Sequence, residues 1–126
     1  MRISCGTDIV ENKRILDAVN RSEKFLLKNF TPKEISYCES KKAVMAQSLA
    51  ARFAGKEAVA KALGTGFIGF VQPVQIEILN DEKGKPYVVL GDDLKKDFPD
   101  ITEISISLSH CNDYSVAYAV ITFKEE

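Results

Sequence analysis

The sequence predicts a mixed fold in which one long helix lies among hairpin strands. Three observations predict it. Ser48 to Gly66, SLAARFAGKEAVAKALGTG, is dominated by strong helix formers and ends in a glycine-rich stop. Glu103 to His110, EISISLSH, alternates Ile104, Ile106 and Leu108 with serines, turns at Asn112-Asp113 and returns as Tyr114 to Phe123. Val74 to Leu79 and Pro86 to Leu90 read as two further strands, joined by the loop Asn80 to Lys85.

Arg2 to Val10 also reads as a strand, because Ile3, Cys5, Thr7 and Ile9 alternate with Arg2, Ser4, Gly6 and Asp8. Gly6 allows another backbone to approach closely or marks a bulge. Asp8 is a carboxylate near the strand exit, where a capping or turn role is the plain alternative to chemistry. Glu11 to Phe30 reads as helical with a break near Asn20–Ser22, Ser22 capping the second piece. Arg14, Arg21, Lys24 and Lys28 recur at seven, three and four residues. If the helical phase survives the break they form a basic stripe with Phe25 beside it. Such a stripe is either a solvated face or a surface for an acidic partner.

Thr31-Pro32-Lys33-Glu34 is a capping box with proline at the first helical position, opening a short helix through Cys38. The long helix begins near Lys42 and ends at Gly64. Along it Phe53, Glu57 and Lys61 are four apart and stack on one face; so do Arg52 and Lys56. The following stretch to Phe70, with Gly64, Gly66 and Gly69, could bring backbone amides to a phosphate but lacks the residue order of a P-loop. Asp92 to Phe98 is a short helix stopped by Pro99. His110, the only histidine, sits at the turn end of the last hairpin.

A chain of 126 residues fits a single domain, 1–126, and 45% hydrophobic with 28% charged residues is the composition of a folded globular protein. The longest apolar runs, such as Val116 to Ile121, are too short to span a bilayer, and no secretory leader is visible. Three widely spaced cysteines, Cys5, Cys38 and Cys111, argue against a disulfide framework and against a zinc site. A cytoplasmic setting without membrane contact is the expectation. The net charge of −1 hides an asymmetry. Residues 1–61 hold 12 basic and 7 acidic side chains; residues 62–126 hold 5 and 11. The first half therefore suits something anionic. Nucleic acid is disfavoured by the pI of 5.9 and by the absence of any recognised motif.

Three segments together resemble the holo-acyl-carrier-protein synthase family of phosphopantetheinyl transferases. They are Gly6-Thr7-Asp8-Ile9 with Glu11 and Arg14-Ile15; Arg52 to Ala58 running on to Lys61-Ala62-Leu63-Gly64-Thr65-Gly66; and Leu108-Ser109-His110 with Tyr114 and Ala117. Gly84-Lys85-Pro86 and the Phe30-Thr31-x-x-Glu34 box match the same pattern. Thr7 and Gly55 stand where a larger aliphatic and an alanine are more usual, and Tyr118 adds a bulky ring to the last strand.

The resemblance implies an α+β fold with a long central helix packed on antiparallel sheet, assembled as a homotrimer with active sites between subunits. It implies transfer of 4′-phosphopantetheine from coenzyme A to a serine of apo acyl carrier protein, in fatty acid biosynthesis. Asp8 and Glu57 would hold Mg²⁺, and Glu57 and Lys61 would be catalytic. Either Glu57 or a water on the metal would take the serine proton. Arg52, Lys61, Gly64, Gly66, Gly84, Lys85, Pro86, Ser109 and His110 would bind the nucleotide end of coenzyme A, with Gly84 to Pro86, Ser109 and His110 coming from a neighbouring subunit. Arg14, Arg21, Lys24, Phe25 and Lys28 would dock the acidic carrier. The two rival readings are a non-catalytic carrier-binding subunit and a nucleic-acid-binding module; Asp8, Glu57 and Lys61 together speak against the first.

Overall fold

The computed structural model describes residues 1–69 and 71–125; Phe70, at the end of the glycine-rich stretch, and Glu126 lie outside the described residues. Strand β1 (Arg2–Glu11) leads into α1 (Asn12–Arg21), α2 (Glu23–Asn29) and α3 (Pro32–Ser40). The long helix α4 (Met45–Leu63) follows, then β2 (Ile76–Asn80), β3 (Pro86–Leu90), α5 (Asp92–Asp97), β4 (Ile101–His110) and β5 (Tyr114–Phe123). The fold is α+β. Strands β1, β5 and β4 form one antiparallel sheet in that order, and β2 and β3 form a second, two-stranded antiparallel sheet.

Helix α4 lies across the first sheet because both surfaces are built from small residues. Ala50, Ala54, Ala58 and Ala62 on the helix and Ala117 and Ala119 on β5 are almost wholly buried. Gly6 pairs with Ala119, and Asp8 with Ala117. Ile106 and Leu108 extend the same surface along β4. Gly55 is the point where both sheets crowd the helix. A Cβ there would lie 2.5 Å from Ile78 Cδ1 and 3.1 Å from Ile106 Cδ1. The absence of a methyl at Gly55 thus makes room for core side chains, which offsets its weak helix propensity.

Several element boundaries differ from the sequence reading for local reasons. Lys42–Val44 is a 3₁₀ turn rather than the start of α4, and the chain passes through Lys42 at φ 48°. Pro73–Gln75 is likewise a 3₁₀ turn, so β2 starts at Ile76. The larger surprise is β1. Alternation predicts its two faces correctly, but the more apolar face, Ile3 and Ile9 with Cys5 and Thr7, is turned outward, Ile3 and Ile9 being 61% and 63% exposed. Gly6, Asp8 and Val10 face the helix instead.

The second sheet is fixed to α4 by a buried ion pair. Lys56 and Glu34 have no solvent exposure, and Lys56 Nζ donates to Glu34 Oε1 at 2.7 Å and to the carbonyls of Pro73 (2.9 Å) and Ile76 (2.7 Å). Glu34 also accepts from the amides of Thr31 and Ile78 at 3.0 Å. The capping box of α3 therefore anchors α4 and β2 as well. Burial pushes the Lys56 pKa down, and the Glu34 charge opposes it. Replacing Lys56 by Met strands the Glu34 carboxylate in the core and is expected to cost about 3–5 kcal/mol. Denaturant unfolding of Lys56→Met measures this; a loss below about 1 kcal/mol would show that the pair does not hold the sheets together.

Candidate functional site

The carboxylate site begins with Gly6. A Cβ on Gly6 would lie 2.1 Å from the Ala58 carbonyl oxygen and 2.8 Å from the Ala62 amide nitrogen, so only glycine lets β1 and α4 approach this closely. Ser4 Oγ donates to the Ala62 carbonyl at 2.6 Å across the same contact. Two residues beyond Gly6, on the same face of the strand, Asp8 reaches the helix. Lys61 Nζ donates to Asp8 Oδ1 at 3.2 Å and to the Thr7 carbonyl at 3.0 Å.

Phe53, Glu57 and Lys61 run from the core to the surface. Phe53 is buried, its ring 5.9 Å from that of Phe25; Glu57 is half-buried and Lys61 exposed. Burial and the charge of Asp8 raise the Glu57 pKa, while Lys61 and Arg14 lower it. The structure thus brings Asp8, Glu57 and Lys61 together, with Arg14 of α1 facing them. Two carboxylates under mutual repulsion beside two cations can share a divalent ion and accept phosphate charge.

A second feature lies on another side of α4. A cavity of about 330 Å³ is lined by Tyr37, Lys41, Ser48, Arg52, Asn80, Gly84, Pro86 and His110 among others. It collects four of the residues expected at the nucleotide: Arg52, Gly84, Pro86 and His110. Arg52 is 3% exposed, and Nη1 donates to Ser48 Oγ at 3.1 Å while Nη2 donates to Asn80 Oδ1. Asn80 Nδ2 in turn donates to the Gly84 carbonyl at 2.9 Å, fixing the turn in which Gly84 takes φ 86°. The sequence does not single out Tyr37, Lys41 or Asn80 as site residues. No motif marks them, and only the tertiary fold sets them beside Arg52.

The remaining candidates are placed elsewhere. Lys85 lines a separate groove with Tyr87 and Glu103. Ser109 opens onto the outward face of the sheet with Ile9 and Val116. The turn at Gly64 and Gly66 uses its own amides within the end of α4. Gly64, at φ 90°, caps α4, and the amides of Gly64, Thr65 and Gly66 already donate to helix carbonyls of Ala60 and Lys61. The basic residues Arg14, Arg21, Lys24 and Lys28 are all exposed. Ser22, in extended conformation, breaks the helical phase between Arg21 and Lys24. Phe25 is half-buried, its ring packed on Phe30 and Phe53.

Residues 4–119 match the model of the 4′-phosphopantetheinyl transferase superfamily. The chain belongs to that superfamily. It is an enzyme of the phosphopantetheinyl transferase class. The holo-acyl-carrier-protein synthase of Ruminiclostridium cellulolyticum is 52% identical over 125 residues, covering 97% of this chain and 93% of that one. Among solved structures, the holo-acyl-carrier-protein synthase of Helicobacter pylori in complex with coenzyme A superposes with TM-score 0.85 at 34% identity, covering 94% of this chain and 99% of that one. The Neisseria meningitidis synthase gives TM-score 0.85 at 36% identity, covering 94% and 97%.

Because the two nearest atoms that a Gly6 methyl would meet are backbone, β1 must retreat from α4 and carry Asp8 away from Glu57. Gly6→Ala is expected to destabilise the fold by about 1–3 kcal/mol. It should lower kcat/KM for phosphopantetheinyl transfer at least about hundredfold. Transfer at the wild-type rate would show that the close contact does not position Asp8.

Proposed function

We propose that this chain is a holo-acyl-carrier-protein synthase, moving 4′-phosphopantetheine from coenzyme A to a serine of an apo acyl carrier protein and releasing adenosine 3′,5′-bisphosphate. The observation that carries the proposal is the junction of Asp8, Glu57 and Lys61 in a member of this superfamily. The Helicobacter pylori relative in complex with coenzyme A supports the donor. We infer a single-domain enzyme (1–126) from its length, a cytoplasmic setting from its three scattered cysteines, and a place in fatty acid biosynthesis from the resemblance.

Asp8 and Glu57 fit Mg²⁺. The ion is usually held by one or two carboxylates, with phosphate oxygens and water completing its shell. When bound, Mg²⁺ supplies charge neutralisation at the pyrophosphate. Lys61 adds a fixed positive charge beside it. The carrier serine attacks the phosphorus that bears pantetheine, and the bond to the nucleotide-side phosphate oxygen breaks. Glu57, or a water on the metal, would accept the proton that the serine loses.

The proposal includes a homotrimer with sites between subunits. Asp8, Glu57 and Lys61 do not line the Arg52 cavity. Arg52 and Glu57 differ by five residues, about 140° around the helix. Asp8 and Leu108 lie in one row of the sheet but are separated by β5, about 10 Å. The two halves therefore diverge within one chain, and a neighbour's cavity can complete each carboxylate site. Ile3, Ile9, Val116, Tyr118 and Tyr114 form an exposed apolar face on β1 and β5 that such a neighbour would cover. Arg14, beside Glu57, and exposed Arg21, Lys24 and Lys28 give an acidic carrier a basic approach to the site.

Mass spectrometry of an apo acyl carrier protein, incubated with this chain, coenzyme A and Mg²⁺, tests the function. A gain of roughly 340 Da, lost with EDTA and absent with Asp8→Ala or Glu57→Ala, is the expected result. Carrier that binds but gains no mass would point to a non-catalytic carrier-binding subunit. Arg14→Glu combined with Arg21→Glu is expected to raise KM for the carrier at least about tenfold and KM for coenzyme A much less. Equal effects on both substrates would remove the docking role.

A further inference from the structure

We propose that Tyr37 is a positioning residue that sets the selectivity of the Arg52 cavity for a phosphate monoester. The inference rests on assigning this cavity to the nucleotide end of coenzyme A, whose 3′-phosphate is such a group. The lining contains Lys41, Arg52 and His110 and neither Asp nor Glu. Arginine is almost never buried without an anionic partner. Arg52 is buried, and among the described residues no carboxylate pairs with it. Its anchors, Ser48 and Asn80, are neutral, and Nε has no hydrogen-bond partner among the described residues. The cavity thus holds uncompensated positive charge, which is what an anion requires.

Tyr37 makes this arrangement possible. Its ring centroid lies 4.3 Å from Arg52 Cζ and 4.8 Å from Lys41 Nζ. Both cations therefore lie over one aromatic ring, whose negative face lowers the cost of bringing like charges together. The ring also forms a wall that, with Ser48 and Asn80, holds the guanidinium plane at the cavity. Lys41 follows directly on α3, so the same helix carries the ring and the second cation. A phosphate monoester near neutral pH carries close to two negative charges, matching two permanent cations. A free hydroxyl at the same position offers no charge to match. Tyr37 acts through Arg52 and Lys41, so its loss should be felt by a donor that bears the monoester and not by one that lacks it.

The experiment compares coenzyme A with 3′-dephospho-coenzyme A as donors for wild type, Tyr37→Leu and Tyr37→Phe. Wild type is expected to prefer coenzyme A in kcat/KM by at least about tenfold. Tyr37→Leu should raise KM for coenzyme A about tenfold while KM for the dephospho donor stays within about twofold, so that the preference collapses. Tyr37→Phe keeps the ring and should keep the preference. If Tyr37→Leu lowers kcat/KM equally for both donors, or leaves the preference intact, the positioning role is overturned while the cavity assignment stands. A wild-type enzyme that uses both donors equally overturns the cavity assignment, and the role of Tyr37 with it.

Discussion

Strand β1 and helix α4 meet at Gly6 with no room for a side chain, and most of the molecule follows from that contact. An added Cβ would sit 2.1 Å from a helix carbonyl, so the strand and helix backbones are almost touching. Such proximity requires small residues on both sides, which the buried alanines of α4 and β5 provide. It also shortens the reach between strand and helix side chains. Asp8, a short side chain, can then meet Lys61 and lie within the electrostatic range of Glu57. Had a larger residue stood at position 6, the same side chains would be present but separated.

Helix α4 is used all the way round. Its alanine face is spent on the first sheet, Lys56 on the second sheet through Glu34, Phe53 on Phe25, Glu57 and Lys61 on the carboxylate site, and Arg52 on the cavity. Little of it is an ordinary solvated face, and 13 of its 19 residues are buried. This explains why one element carries so much of the family pattern. It also explains why one chain separates the carboxylates from the Arg52 cavity: side chains that leave a helix in different directions converge only on different neighbours.

Much of this was legible in the sequence, because local rules decide local structure. The Gly64 stop, the Thr31–Glu34 capping box and the Ser22 break rest on contacts a few residues apart, and the hairpin from Glu103 to Phe123 shows itself by its alternation and its short turn. Alternation in β1 gave two faces but not their direction, since period 2 is the same whichever face is buried. The presence of Gly6, not the isoleucines, decides which face meets α4. Glu34 was readable as a cap but not as the partner of Lys56, which lies 22 residues away in the chain. The glycines at the end of α4 suggested amides free for phosphate, yet a helix stop consumes those amides on its own last carbonyls. Tyr37 and Asn80 have no sequence signature, for they matter only once α3, α4 and the β2–β3 turn enclose Arg52.

In the proposed assembly, the two half-sites that one chain holds apart are completed by a second chain. Co-expression of Asp8→Ala and Arg52→Ala chains tests this most directly, each variant being nearly inactive alone. Random mixing in a closed ring of subunits gives two intact halves to one interface in four, so the mixture is predicted to recover about a quarter of wild-type transfer. A mixture no more active than its components would contradict the account, because both halves would then have to serve the reaction from within a single chain.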